Sequence, residues 1–170
     1  MNNYLTFVGK SASRAFRSKI STDLKNKVLN KFSQLIKKNK KKIINQNKKD
    51  IKFAKKIGLK KNLIDRLKIN NNKLDEIIES VRKIAKLKDP TDTILSKWKR
   101  PNGLIIKRVT VPIGVVAVIY ESRPNVTSDI SSLCFKSGNC VILRGGSEAY
   151  FSNKLIADLF RNALSKYNIN

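Results

Sequence analysis

Histidine is absent from the 170 residues, cysteine occurs twice, and acidic residues number only 12. Without histidine no Ser-His-Asp triad can be built. Two cysteines, Cys134 and Cys140, with no histidine beside them support neither a zinc site nor a disulfide framework. No apolar run approaches the roughly 18 residues of a membrane span, so no membrane partner is expected. The glycine pattern G-x-G-x-x-G occurs nowhere, which argues against an ordinary Rossmann dehydrogenase. A reducing, cytoplasmic location follows from the sparse cysteines. Residues 1–22 hold no acid but include Arg14, Arg17 and Lys19. Such a stretch resembles an organelle transit peptide, yet it equally suits a plain surface helix, the reading preferred here.

Against 12 acids stand 37 Lys and Arg, a net charge of +25. The excess is lopsided: +21 over residues 1–100 and +4 over residues 101–170. One reading is a nucleic-acid-binding arm on a folded domain. The other is compositional drift. Lys (28), Ile (20) and Asn (18), all with A/T-rich codons, fill tolerant surface and core positions. Only 9 of the 37 basic residues are Arg, and the run of residues 37–42 has no aromatic neighbour before Phe53, whereas nucleic-acid surfaces favour Arg and stacking rings. Drift is the reading adopted, with no nucleic-acid partner.

Hydrophobic periodicity splits the chain near residue 100. Leu24, Val28, Phe32, Leu35 and Ile36 keep helical spacing behind Asp23, a candidate cap. Ile43, Ile44, Ile51 and Ala54 continue the pattern to Gly58. A third helix, capped by Asn71 or Asn72, carries the stripe Leu74, Ile77, Ile78, Val81, Ile84 and Ala85, and Asp89-Pro90 ends it. Pro101-Asn102-Gly103 marks a turn, and residues 104–109 alternate like a strand. Residues 113–120, IGVVAVIY, form an apolar run suited to a buried parallel strand. Residues 126–136 suit a helix closed by Gly138, residues 140–143 a second buried strand, and residues 149–166 another helix.

Strand, helix, strand, helix predicts an α/β fold with a right-handed parallel crossover. Such sheets place ligands beyond the carboxyl ends of their strands. Residues 121–125 and 144–147 fall there. A helical segment, residues 1–100, would pack on the start of a cofactor domain, residues 101–170. Two parallel strands cannot cover themselves, so the chain reads as cut short.

The segment VPIGVVAVIYESRPNVTSDISSLCFKSGNCVILRGGSEA, residues 111–149, resembles the gamma-glutamyl phosphate reductase family of the aldehyde dehydrogenase superfamily. The stretches IYESRPNVT and ILRGGSEA carry the resemblance most specifically. It continues upstream through KDIKFAKKIGL, IDRL, VRKIAKLKDP and WKRPNGLIIKR to Met1. The resemblance implies NADPH-dependent reduction of L-glutamyl 5-phosphate to glutamate 5-semialdehyde and phosphate in proline biosynthesis. It also implies a homo-oligomer at full length, and a nucleophilic cysteine beyond residue 170.

Two loops carry the expected site. Read alone, Arg144-Gly145-Gly146-Ser147 is either a βα turn shaped by glycines or an anion cradle. Glycines admit a ligand to the backbone, amides bind an anion, and Arg144 offers a permanent planar cation. With the resemblance, these four residues are the NADP contacts, Arg144 and Ser147 suiting the 2′-phosphate. In the other loop Ser122 aligns nearest an asparagine that stabilises an oxyanion in related enzymes. Arg123 and Asn125 are candidate substrate contacts, Arg123 having a salt bridge to Glu121 or Asp129 as its alternative. Cys134 and Cys140 fall in a helix and a strand and are assigned to packing, so no catalytic residue is expected in the chain. The rival readings are a degenerate noncatalytic fragment and a basic nucleic-acid-binding protein.

Overall fold

A computed structural model describes residues 3–169; Met1, where the family resemblance begins, and Asn170 lie outside the described residues. Among the described residues seven α-helices and four strands follow one another as α1 (Asn3–Phe16), α2 (Thr22–Lys38), α3 (Lys40–Lys56), α4 (Lys61–Leu67), α5 (Asn71–Lys86), β1 (Ile94–Lys99), β2 (Ile105–Val109), β3 (Val115–Tyr120), α6 (Pro124–Lys136), β4 (Cys140–Gly145) and α7 (Tyr150–Ser165). The helical stripes account for the packing. Val28, Leu29, Phe32 and Ile36 of α2 meet Leu74, Ile77, Ile78 and Val81 of α5, with Phe135 of α6 and Ile156, Leu159 and Phe160 of α7 completing one core. Phe160 is the hub, its ring set edge-on to Phe32 at 4.9 Å and to Phe135 at 5.7 Å, an arrangement favoured by the ring quadrupoles. This core contains side chains from both sides of residue 100.

The helix starts differ from the expected caps by a residue or two. Ser21, not Asp23, accepts the Leu24 amide at the start of α2; Asp23 lies inside the first turn, where its charge suits the helix dipole. Asn70, not Asn71 or Asn72, accepts the Lys73 amide at 2.8 Å and caps α5. Two elements escaped the sequence pattern, α4 and β1. Strand β1 pairs antiparallel with β2 across residue 100, Trp98 facing Ile106. Every residue of β1 is exposed, so no buried face imprints an alternation on it.

The second sheet is the expected one. β3 and β4 pair in parallel, Val115 opposite Cys140 through Tyr120 opposite Gly145. α6 provides the crossover, its end marked by Gly138 at φ +73°, a left-handed backbone that glycine adopts freely. Neither strand is buried as the apolar runs suggested. Along β3 exposed and half-buried residues alternate, and Ile119 is 84% exposed. α6 packs on β4, and α1 lies against both strands.

Candidate functional site

The register of the parallel pair ends with Tyr120 beside Gly145, so the loops that follow β3 and β4 leave the sheet side by side. Glu148 joins them. Its Oε1 accepts the Ser122 amide at 2.6 Å and the Ser122 hydroxyl at 3.0 Å. Burial works against the Glu148 charge, but its own amide and the two Ser122 donors outweigh burial and hold the carboxyl below the usual range. Ser122 is buried and has φ +37°, a conformation non-glycine residues adopt only when their surroundings impose it. Both Ser122 donors are thereby committed to Glu148, so the expected oxyanion contact finds no free donor at this residue.

The two glycines make room for side chains of the protein itself. A Cβ at Gly146 would lie 2.2 Å from Glu148 Oε1, and one at Gly145 would lie 2.4 Å from Asn153 Nδ2. Asn153 belongs to a buried relay: the Tyr120 hydroxyl donates to Thr127 Oγ1 at 2.6 Å, which donates to Asn153 Oδ1 at 3.0 Å. Burial pushes the Tyr120 hydroxyl up despite that bond. Arg144, the penultimate residue of β4, is exposed and donates to the adjacent Gly145 carbonyl at 3.5 Å. Ser147, also exposed, opens a short 3-10 turn, Ser147–Ala149, ahead of α7. With Glu148 turned inward, this mouth presents a cation and a hydroxyl, and both suit an anionic group.

On the other loop Arg123 is exposed, and the ion pairs among the described residues do not include it. Asp129, one of the two alternative partners with Glu121, instead accepts from Ser80 at 3.1 Å and Asn125 at 3.3 Å. Asn125 therefore sits over a cavity of about 210 Å³ between α5 and α6, lined also by Lys73, Glu76, Ile77 and Ser80. Lys73 donates to the carbonyls of Arg66 and Lys68 at 3.0 and 3.2 Å. Its ammonium is pushed down by burial first and by the nearby charge of Arg123, with Glu76 opposing. The sequence reading missed Lys73.

It also missed the support beneath the loops. Asp50 of α3, fully buried, accepts the amides of Phe151 and Ser152 at 2.9 and 2.8 Å and the Ser152 hydroxyl at 2.5 Å. The first turn of α7 has no cap of its own, and Asp50 supplies one from another helix. Burial dominates its titration and raises its pKa, the three donors opposing. Asn47, one turn earlier, donates to Leu67 O and Ser152 Oγ and accepts the Ile69 amide. The cysteines sit elsewhere. Cys140 begins β4, at the far end from Gly145, and both thiols are raised, chiefly by burial. Reactive cysteines have lowered values, the opposite direction.

No protein-family model matches the chain. The fold is that of the aldehyde dehydrogenases: a propionaldehyde dehydrogenase from Clostridium phytofermentans superposes with a TM-score of 0.58 at 14% identity, over 94% of this chain and 33% of that one. The crystal structure of gamma-glutamyl phosphate reductase from Thermotoga maritima superposes with a TM-score of 0.90 at 40% identity, over 94% of this chain and 39% of that one. The gamma-glutamyl phosphate reductase of Hydrogenobaculum sp. is 51% identical over 150 residues, 88% of this chain and 34% of that protein. The chain belongs to the gamma-glutamyl phosphate reductase family, and it spans between a third and two fifths of the length of these two relatives.

Proposed function

We propose that the chain supplies the NADP-binding loop and part of the substrate site of an enzyme that reduces L-glutamyl 5-phosphate with NADPH to glutamate 5-semialdehyde and phosphate, a step of proline biosynthesis. The observation that carries this reading is the adjacency of the two loops at the carboxyl ends of β3 and β4, where an open parallel sheet takes its ligands.

NADPH, when bound, supplies the hydride. Arg144 and Ser147 hold its 2′-phosphate, because the exposed guanidinium has no carboxylate partner among the described residues and Glu148 is turned away. Gly145 and Gly146 keep the loop backbone low beside Asn153 and Glu148. Arg123 and Asn125 face the anionic substrate, with Lys73 lining the same cavity as Asn125 and feeling the charge of Arg123. The partner is this small molecule and a second copy of the chain at full length, in the cytoplasm, with neither nucleic acid nor membrane involved. In support, Lys37, Lys38, Lys41 and Lys42 are exposed on α2 and α3 without interleaved aromatic rings, and among the described residues no helix is long and apolar enough to cross a membrane.

The test uses a full-length form, this chain continued to the length of its relatives. NADP reduction that requires both glutamate 5-semialdehyde and phosphate supports the reading. Reduction independent of phosphate contradicts it.

A further inference from the structure

The side chain that joins the two loops has no role in the reading above. We propose that Glu148 is a positioning residue: by accepting both donors of Ser122 it pins the loop after β3 to the loop after β4, and so holds Arg123 and the first turn of α6 where the anionic substrate is read. The inference rests on the assignment of the 144–147 loop to the cofactor and the 121–125 loop to the substrate.

Three observations converge on it. Ser122 is a buried, non-glycine residue with φ +37°, a conformation that persists only when its contacts over-determine it. Its amide and its hydroxyl both end on one oxygen of Glu148, at 2.6 and 3.0 Å, so no other acceptor competes for the turn. Glu148 itself has no slack. It lies over Gly146, where a Cβ would come within 2.2 Å of its Oε1, and its carboxyl stays ionised because its own amide and the Ser122 donors outweigh burial. The next residue after this turn is Arg123, and Pro124 begins α6 directly behind it. Rotation of the Ser122 backbone therefore carries the guanidinium of Arg123 and the amide of Asn125 with it. Glu148 acts through Ser122, to which its Oε1 is bonded twice.

The experiment compares Glu148→Ala, Glu148→Gln and Ser122→Ala in the full-length form. It reads kcat and KM for glutamate 5-semialdehyde, the Kd for NADP, and amide hydrogen exchange in peptides covering residues 121–125. Glu148→Ala is expected to lower kcat/KM for the aldehyde by about tenfold or more, the loss of a charge-assisted pair of hydrogen bonds, while the NADP Kd moves by less than about twofold. Glu148→Gln keeps an acceptor oxygen for Ser122 and recovers most of the loss. Ser122→Ala keeps the amide bond and shows a smaller loss of the same kind. An unchanged kcat/KM in Glu148→Ala, an equal weakening for NADP, or a Gln variant as poor as Ala overturns the proposal. If Glu148→Ala does not fold, Ser122→Ala decides by the same split. If the unmutated protein shows no turnover, the proposed reaction fails, and exchange in residues 121–125 then decides the pinning: faster exchange in Glu148→Ala supports it and unchanged exchange overturns it.

Discussion

Asp50 and Ser152, 102 positions apart in sequence, meet in two hydrogen bonds: the Ser152 amide and hydroxyl both donate to Asp50 Oδ2, at 2.8 and 2.5 Å. These bonds place α3 under the first turn of α7, and α7 begins immediately after the proposed cofactor loop. A residue in the helical half thus sets the entry of a helix in the sheet half.

Asp50→Ala is expected to destabilise the full-length form by about 1.5–3 kcal/mol, the range for hydrogen bonds to a charged group, because the amides of Phe151 and Ser152 lose their acceptor in a buried place. Asp50→Asn keeps one acceptor oxygen and is expected to lose less. Urea midpoints of the three proteins make the comparison. An Ala variant as stable as the original contradicts the capping role.

Asp89 makes the fold sensitive to acid. It accepts from the buried ammonium of Lys25 at 2.9 Å, from Thr22, and from the amide and hydroxyl of Thr91. Burial alone would raise this carboxyl; the Lys25 bond and the Thr donors together hold it far below the usual carboxylate range. A depressed folded-state pKa contributes stability that is present above the unfolded value, about 4, and is lost as pH falls through the folded one. Unfolding should therefore become easier as pH drops below about 4. Asp89→Asn should flatten that part of the profile, and at pH 7 it should cost about 3–5 kcal/mol, since Lys25 stays buried without its counter-charge. Urea midpoints against pH for both proteins test this; parallel profiles contradict it.

Cys134→Ser and Cys140→Ser are expected to leave turnover of the full-length form unchanged. Burial raises both thiols, which opposes formation of a nucleophilic thiolate at neutral pH. Turnover abolished by either substitution, with the protein still folded, would place the nucleophile in this chain.

The parts of the structure with one buried face were legible in the sequence. The stripes of α2 and α5 each announced an element and its inner side; the apolar runs of β3 and β4 announced the strands but overstated their burial, and the order strand-helix-strand implied the parallel pairing. What escaped had no such contrast. β1 is exposed throughout, and α4 spans only 7 residues, too short for a helical period to register. Asn47 and Asp50 were passed over for the opposite reason. They share the buried face of α3 with Ile43 and Ala54, and polar residues at apolar positions of a stripe are the signal that a buried network sits there. The two segments were located to within two residues, β4 running on through Arg144 and Gly145 and α6 beginning already at Pro124, but composition cannot say which way a side chain turns. Glu148 reads as one more polar loop residue until the positive φ of Ser122 is seen beside it.

Binding of NADP and of NAD to the Arg144→Ala variant of the full-length form tests most directly whether this chain builds the cofactor site. Arg144 stands exposed at the end of β4, ahead of Gly145, Gly146 and Ser147. If it holds the 2′-phosphate, its loss should weaken NADP by about 1.5–3 kcal/mol, roughly ten- to a hundredfold. NAD lacks that phosphate and should change far less. The NADP difference should shrink in high salt, because an exposed charge pair is screened. Equal losses for the two cofactors, or no loss for either, would contradict the assignment of this loop to the NADP phosphate.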